Sequence, residues 1–326
     1  MAGAVMRFRE EPLCFGADGA LVGILTHPCG ETPASDAAVI FFNAGLVHRV
    51  GPGRLYVELA RQLAGQGWTC LRFDHAGIGD SPARSDQLPA EKAAVFEAIE
   101  AMDALTRHHG CTRFVLAGMC AGTPTAFRAA VIDSRVEALV LLNAVLGDRA
   151  AADEKALEEM TARKVAHSYW SDKIFRPRSW LRLLSGKSSP RRILAMLLRA
   201  KRSSADRTRS PLDADGAAVL NDLGALAARG TRVLLLFGER TGVRQYFGMK
   251  FEPHLATLSD GQRVTLTIVA NGDHSFTTLA LQDTVRAEVS AWLGAAPHRA
   301  PAATPATAPA AAASGYTVPR RRPRPG

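Results

Sequence analysis

Gly118-Met119-Cys120-Ala121-Gly122 is the stretch whose reading decides the fold. The run Arg113–Ala117 leads into it as a buried strand, and Ala121–Ile132 continues from it as a helix. Strand, tight turn, helix, with a nucleophilic residue at the centre of the turn, is the form of a nucleophile elbow. Lifting the central side chain clear of the sheet demands a strained backbone at that residue. Glycines two positions before and after let strand and helix approach closely enough for the turn. The helix N-terminus then aims free N–H groups and a positive dipole end at Cys120, a setting that favours thiolate chemistry.

The same alternation of short apolar runs and longer helical ones extends on both sides. Strands are expected at Leu21–Thr26, Ala37–Phe42, Thr69–Phe73, Val136–Leu142, Arg232–Phe237 and Val264–Val269. Helices are expected at Arg54–Gln66, with Leu55, Leu59 and Leu63 four apart, at Ala90–His109 and at Thr277–Leu293. The pattern predicts a mostly parallel sheet covered by helices. It breaks from about Asp148 to Asp215, a basic, Trp- and Leu-rich helical insertion, and ends at an Ala-, Pro- and Arg-rich tail that cannot bury a core. The expected organisation is a core of residues 1–147 and 216–294, a lid of residues 148–215, and a disordered tail of residues 295–326.

The net charge of +9 suggests nucleic acid until it is located along the chain. Met160–Ser210 holds fourteen Lys or Arg against Asp172 and Asp206, an excess of +12, and the tail adds five arginines, which leaves the remainder at −8. Basicity therefore belongs to the insertion and the tail, and no motif that reads a base sequence accompanies it. No run approaches the roughly 18 apolar residues of a membrane span. The charged N-terminus is no signal peptide. Five cysteines without CxxC or CxxH spacing argue against a disulfide framework or a zinc motif and point to a reducing, cytoplasmic setting, and no cofactor is implied.

A base for Cys120 is expected after the last strand, where His274 stands in Asn271-Gly272-Asp273-His274-Ser275. The oxyanion hole is expected from the backbone N–H of Ala121 and from the loop after Ala37–Phe42, Asn43-Ala44-Gly45-Leu46-Val47-His48-Arg49, with Gly45 as donor and Leu46 as the alternative. His48 and Arg49 either touch substrate or brace that loop. Met119 and Trp180 are further substrate-contact candidates. Asp74 and Asp80, in the Gly-rich turn Phe73–Ser81, read as organisers of that turn.

Taken together, Asn43–Leu63, Leu71–Ser81, the Cys120 turn, Asn271–Phe276 and Ser179-Trp180-Leu181-Arg182-Leu183-Leu184-Ser185-Gly186-Lys187 resemble the α/β-hydrolase superfamily over roughly residues 10 to 294. More narrowly, they resemble its serine aminopeptidase-like branch, including hydrolases associated with exosortase systems, with Cys in place of Ser. The resemblance implies the α/β-hydrolase fold, an eight-stranded, mostly parallel sheet flanked by helices with a helical lid. It also implies a triad acid in a Gly-Glu-x-Asp pattern after the strand ending at Phe237. Here the run is Gly238-Glu239-Arg240-Thr241, with Thr241 at the Asp position. Glu239, Asp148, or no carboxylate at all are the three options for the acid.

In the insertion, Trp180, Leu183 and Leu184 fall at i, i+3, i+4, as do Ile193, Met196 and Leu197, with arginines around them. An apolar stripe covering the site suits a hydrophobic acyl substrate. The cations suit coenzyme A, an acyl carrier protein, or peripheral contact with anionic lipid. The expected activity is hydrolysis or transfer of an acyl group from an ester or thioester through acyl-Cys120. The alternatives are a hydrolase-fold protein that binds without turnover and, on the resemblance alone, a peptidase.

Overall fold

A computed structural model describes residues 8–29, 36–147, 214–255, 258 and 263–295. Every residue of β3 (Ala37–Phe42) and β4 (Thr69–Phe73) is buried, and β5 (Arg113–Met119), β6 (Val136–Leu142) and β7 (Arg232–Gly238) are buried over most of their length. Unbroken Val, Leu, Ile and Phe runs of this kind belong to parallel strands covered on both faces. The sheet has the order β1-β2-β4-β3-β5-β6-β7-β8. From β4 to β8 (Val264–Val269) neighbouring strands are parallel, while β1 (Phe8–Phe15) and β2 (Leu21–Pro28) add an antiparallel edge.

Alternate residues of each strand feed two cores. Ala38, Ile40 and Phe42 face α2 (Ala90–His109), α3 (Thr123–Ile132) and α4 (Ala214–Arg229) through Met102, Phe127 and Leu223. Ala37, Val39 and Phe41 face α1 (Leu55–Ala64) and α7 (Leu279–Gly294) through Leu59, Leu63, Val285 and Val289. Between β7 and β8 lie α5 (Gly242–Lys250) and the short α6 (Glu252–Leu255).

Seven strands follow the sequence pattern closely, but the eighth, β1, lies in the stretch read only as a charged N-terminus. As an edge strand it carries Arg9, Glu10, Glu11 and Pro12, and only Phe15 is fully buried, so it shows no apolar run. Glu10 is nonetheless structural, pairing with Arg61 at 2.7 Å and with the buried Arg72 at 2.8 Å. Of the lid assigned to residues 148–215, residues 148–213 lie outside the described residues while Ala214 and Asp215 open α4; of the tail assigned to residues 295–326, residues 296–326 lie outside them.

β3 is flanked by β4 on one side and β5 on the other, so the chain leaves β3 in one direction and returns on the opposite side. The crevice beyond the carboxyl ends of strands at such a reversal is where open α/β sheets hold ligands. The β3 loop and the Cys120 turn both open there.

Candidate active site

Cys120 closes β5 and has φ +50, the left-handed region that a β-carbon makes costly. A 3-10 turn, Cys120–Gly122, carries the chain into α3, whose first turn holds Pro124. The two glycines of the motif are in contact with backbone. A β-carbon on Gly118 would sit 2.4 Å from the Gly122 carbonyl oxygen, and one on Gly122 would sit 2.8 Å from that of Asn43 and 2.9 Å from that of Phe42. The turn is thus pressed against its own strand on one side and against the end of β3 on the other. Thr123 fixes it from below: its hydroxyl donates to the Cys120 carbonyl at 2.6 Å and accepts the Val145 N–H at 3.0 Å. Cys120 is half-buried, and Met119 is fully buried in the core shared with α1 and α7.

The loop after β3 is held by a buried carboxylate. Asp74, fully buried at the end of β4, accepts from the Asn43 side chain at 3.1 Å, the Arg49 N–H at 2.6 Å and the Asp80 N–H at 3.3 Å, and it pairs with the Arg49 guanidinium. Arg49 also reaches Asp80 at 2.6 Å. Arg49 thus braces the loop, and Asp74 and Asp80 organise their turn. Gly79 is required beside them, since a β-carbon there would overlap the Asp74 carboxylate at 2.2 Å. Gly45 has φ +66 with open space around it, His48 is exposed, and Leu46 stands 91% exposed at the loop tip.

The loop from β8 to α7 carries His274, which is exposed. It is anchored by Asn143, a fully buried residue at the end of β6 with φ +46. Asn143 accepts the Gly238 N–H at 2.8 Å and donates to the His274 carbonyl at 2.8 Å and the Asp273 carbonyl at 3.4 Å. One amide thereby ties the exits of β6 and β7 to the His274 loop and brings that loop to the strand beside β5. Asp273 accepts the N–H groups of Ser275 and Thr277 and the Thr277 hydroxyl, and that hydroxyl above all holds its carboxyl below the usual range.

Two residues stand at the acid's place. Thr241 caps α5, accepting the Arg244 N–H at 3.1 Å and donating to the Gly238 carbonyl at 3.0 Å. Glu239 is exposed, and its carboxylate accepts the Asn271 N–H at 2.7 Å. Asp148 and Trp180 lie outside the described residues.

Residues 38–177 match a family described as alpha/beta hydrolase fold. The chain has the alpha/beta hydrolase fold. No curated protein matches it in sequence. Among solved structures of this fold, it is similar to a proline iminopeptidase from Mycobacterium smegmatis at 18% identity, covering 88% of this chain and 98% of that one with a TM-score of 0.54. A hypothetical protein from Pseudomonas aeruginosa matches at 14% identity, with coverages of 90% and 94% and a TM-score of 0.53. A dienelactone hydrolase from Anabaena variabilis matches at 16% identity, with coverages of 88% and 97% and a TM-score of 0.51. At these identities the likeness is one of fold.

Asn143, Thr123 and Tyr56 are the site-building residues of this hydrolase fold that sequence reading missed. Tyr56 is fully buried near the Met119–Cys120 junction. Burial above all pushes its phenol well above the ordinary range; a hydrogen bond from the Met119 backbone opposes that, and Cys120 adds to it. Gly51, at φ +72, makes room for its ring, which a β-carbon would meet at 2.6 Å. The Pro-Gly punctuation at 52–53 marks that turn in the sequence, but nothing local marks the tyrosine's proximity to Cys120.

Proposed function

We propose that the protein is a cysteine-nucleophile hydrolase or acyltransferase acting on an ester or thioester of a hydrophobic acyl group. The observation that supports this most directly is Cys120 at φ +50, in a turn that Gly118 and Gly122 fit without room for a β-carbon. Other non-glycine residues share a positive φ, but Cys120 combines it with the strand-to-helix turn that lifts a side chain clear of the sheet.

In this reading the Cys120 sulfur attacks the carbonyl carbon as His274 takes the thiol proton. The N–H groups of Ala121 and Gly45, or Leu46 in Gly45's place, hold the oxyanion. Collapse breaks the bond to the alcohol or thiol, which leaves with the proton from His274. A water, deprotonated by His274, or another acceptor then takes the acyl group. Glu239, whose carboxylate accepts the Asn271 N–H, is the acid this reading favours, with Asp148 as the alternative; with neither, the pair works unaided. A thiol tolerates this better than a hydroxyl, because it ionises far more readily. The basic insertion suggests coenzyme A or an acyl carrier protein as the substrate's carrier, on charge alone.

Cys120→Ala is expected to abolish turnover of a panel of acyl esters and thioesters, together with acylation of the protein seen by mass spectrometry. Unchanged turnover in that variant sinks the proposal. A second reading, ligand or partner binding without turnover, is favoured by Thr241 at the acid's place. It predicts that Cys120 reacts with iodoacetamide no faster than the exposed Cys14 and Cys29. A peptidase reading rests on the resemblance alone.

A further inference from the structure

We infer that Glu11, His27 and His109 form a binding site for a first-row dication such as Zn2+, at the opposite end of the sheet from Cys120. The three side chains offer one carboxylate oxygen and two imidazole nitrogens, all within 4.8 Å of one another, and all three residues are half-buried. They come from three elements. Glu11 lies on β1 and His27 on β2, where register pairs Arg9 with His27 and Glu11 with Leu25. Glu11 and His27 are therefore diagonal neighbours on one face, a spacing that long side chains bridge. His109 is the last residue of α2, which ends there because Gly110 turns the chain at φ +67. Helix α2 packs against β1 and delivers this imidazole beside that of His27, ring centre to ring centre 5.3 Å.

The geometry is close to what a metal requires. Tetrahedral zinc with ligands near 2.0–2.1 Å places their donor atoms about 3.3 Å apart. Nε2 of His27 lies 2.8 Å from Oε1 of Glu11, so that pair opens slightly while His109 closes toward it. A metal held by Nε2 of His27 requires that nitrogen to be free of its proton, so the neutral ring then carries its proton on Nδ1. Arg9, 2.9 Å from the other oxygen of Glu11, stays as a partner outside the ligand shell and holds the carboxylate in place. Two imidazoles and a carboxylate suit Zn2+, leaving the fourth position to water.

Location sets the role. β2 runs antiparallel to β4, and Thr26 pairs with Cys70 near the start of β4, so His27 lies at the amino ends of the parallel strands. The metal would clip the antiparallel edge hairpin to the end of α2, far from the carboxyl ends where the Cys120 turn opens. At that distance it acts apart from the proposed catalysis.

The test uses the full-length chain without a histidine tag, stripped with EDTA and dialysed, and titrated with Zn2+ alone by calorimetry and with Co2+ by absorption. One equivalent is expected to bind and to raise Tm. In His27→Ala and in His109→Ala, affinity is expected to fall about a hundredfold or more, beyond the loss typical of outer-shell partners. Circular dichroism in EDTA checks that both variants remain folded, and His274→Ala should bind Zn2+ like the parent. The Co2+ complex should lack the intense near-ultraviolet band of a thiolate ligand. Failure to bind, binding undiminished in both histidine variants, or a thiolate band would each overturn the site and leave Glu11–His27 as a simple ion pair. None of these outcomes bears on turnover at Cys120.

Discussion

Asn143 offers a sharp test of how the site is held, because three strand exits meet at its side chain. Replacing it with leucine, similar in size, removes the donor and the acceptor together. The buried Gly238 N–H, which donates to the Asn143 amide oxygen, would be stranded at a cost of about 2 kcal/mol, and the His274 carbonyl, nearer solvent, at about 1 kcal/mol. Leucine must also adopt φ +46, where asparagine is tolerated, which costs about a further 1–2 kcal/mol. The total is roughly 4–5 kcal/mol, or a fall in Tm of about 10–15 °C for a domain of this size. Asn143→Gly separates the two contributions, since glycine accepts the backbone angle, and is expected to cost about 3 kcal/mol. Urea unfolding followed by circular dichroism gives both numbers, and alkylation of Cys120 by iodoacetamide at neutral pH reports whether the His274 loop has shifted. A loss below about 1 kcal/mol in Asn143→Gly would refute the clamp, because no stranded N–H could then exist.

Gly122→Ala forces a β-carbon against the carbonyl oxygens of Phe42 and Asn43, so we expect a loss of about 2–3 kcal/mol and a slower Cys120 alkylation rate; an unchanged urea midpoint would contradict it. Thr241→Asp keeps an N-cap acceptor for the Arg244 N–H but loses the donor to the Gly238 carbonyl, so stability should drop by no more than about 1–2 kcal/mol while turnover of an acyl thioester rises. A fall in turnover with stability preserved would show that this position has no part in assisting His274. Tyr56→Phe removes a buried hydroxyl whose contact is with the Met119 backbone and should change stability by no more than about 1 kcal/mol; a larger loss in urea unfolding would show that this contact holds the Cys120 turn. Asp36 is held below the ordinary carboxylate range mainly by its hydrogen bonds from Arg113. A lowered folded pKa contributes stability that is present above about pH 4 and lost as pH falls through the folded value. The stability gap between the parent and Asp36→Asn should therefore close between neutral and strongly acidic pH, and a gap that widens on acidification would reverse the assignment.

The sheet was legible because burial on both faces writes itself into the chain as continuous apolar runs. β3, β4, β6 and β8 appear in the sequence with the limits seen in the structure. β1 was not legible, because an edge strand shows solvent its charges and its proline. The Cys120 turn could be read from Gly118 and Gly122, whose smallness has a local cause. The residues that hold the site together could not, since Thr123 bonds Val145, Asn143 bonds Gly238 and His274, and Tyr56 lies beside Cys120 from a distant helix. Such pairings depend on which strand exits become neighbours, information that no spacing in the chain contains. Thr241 shows the converse: the sequence reveals that a carboxylate is missing there, and only the structure reveals the cap that stands in its place.

The backbone contacts of Gly118 and Gly122 have a consequence for how this protein can change over generations. The height of Cys120 above the sheet is set by main chain resting on main chain, not by the shape of any large side chain. Substitutions in the cores away from Cys120 and Tyr56 therefore bear less on the turn than a change at either glycine does. A lineage of this protein has least freedom at those two positions, where any side chain must displace main chain.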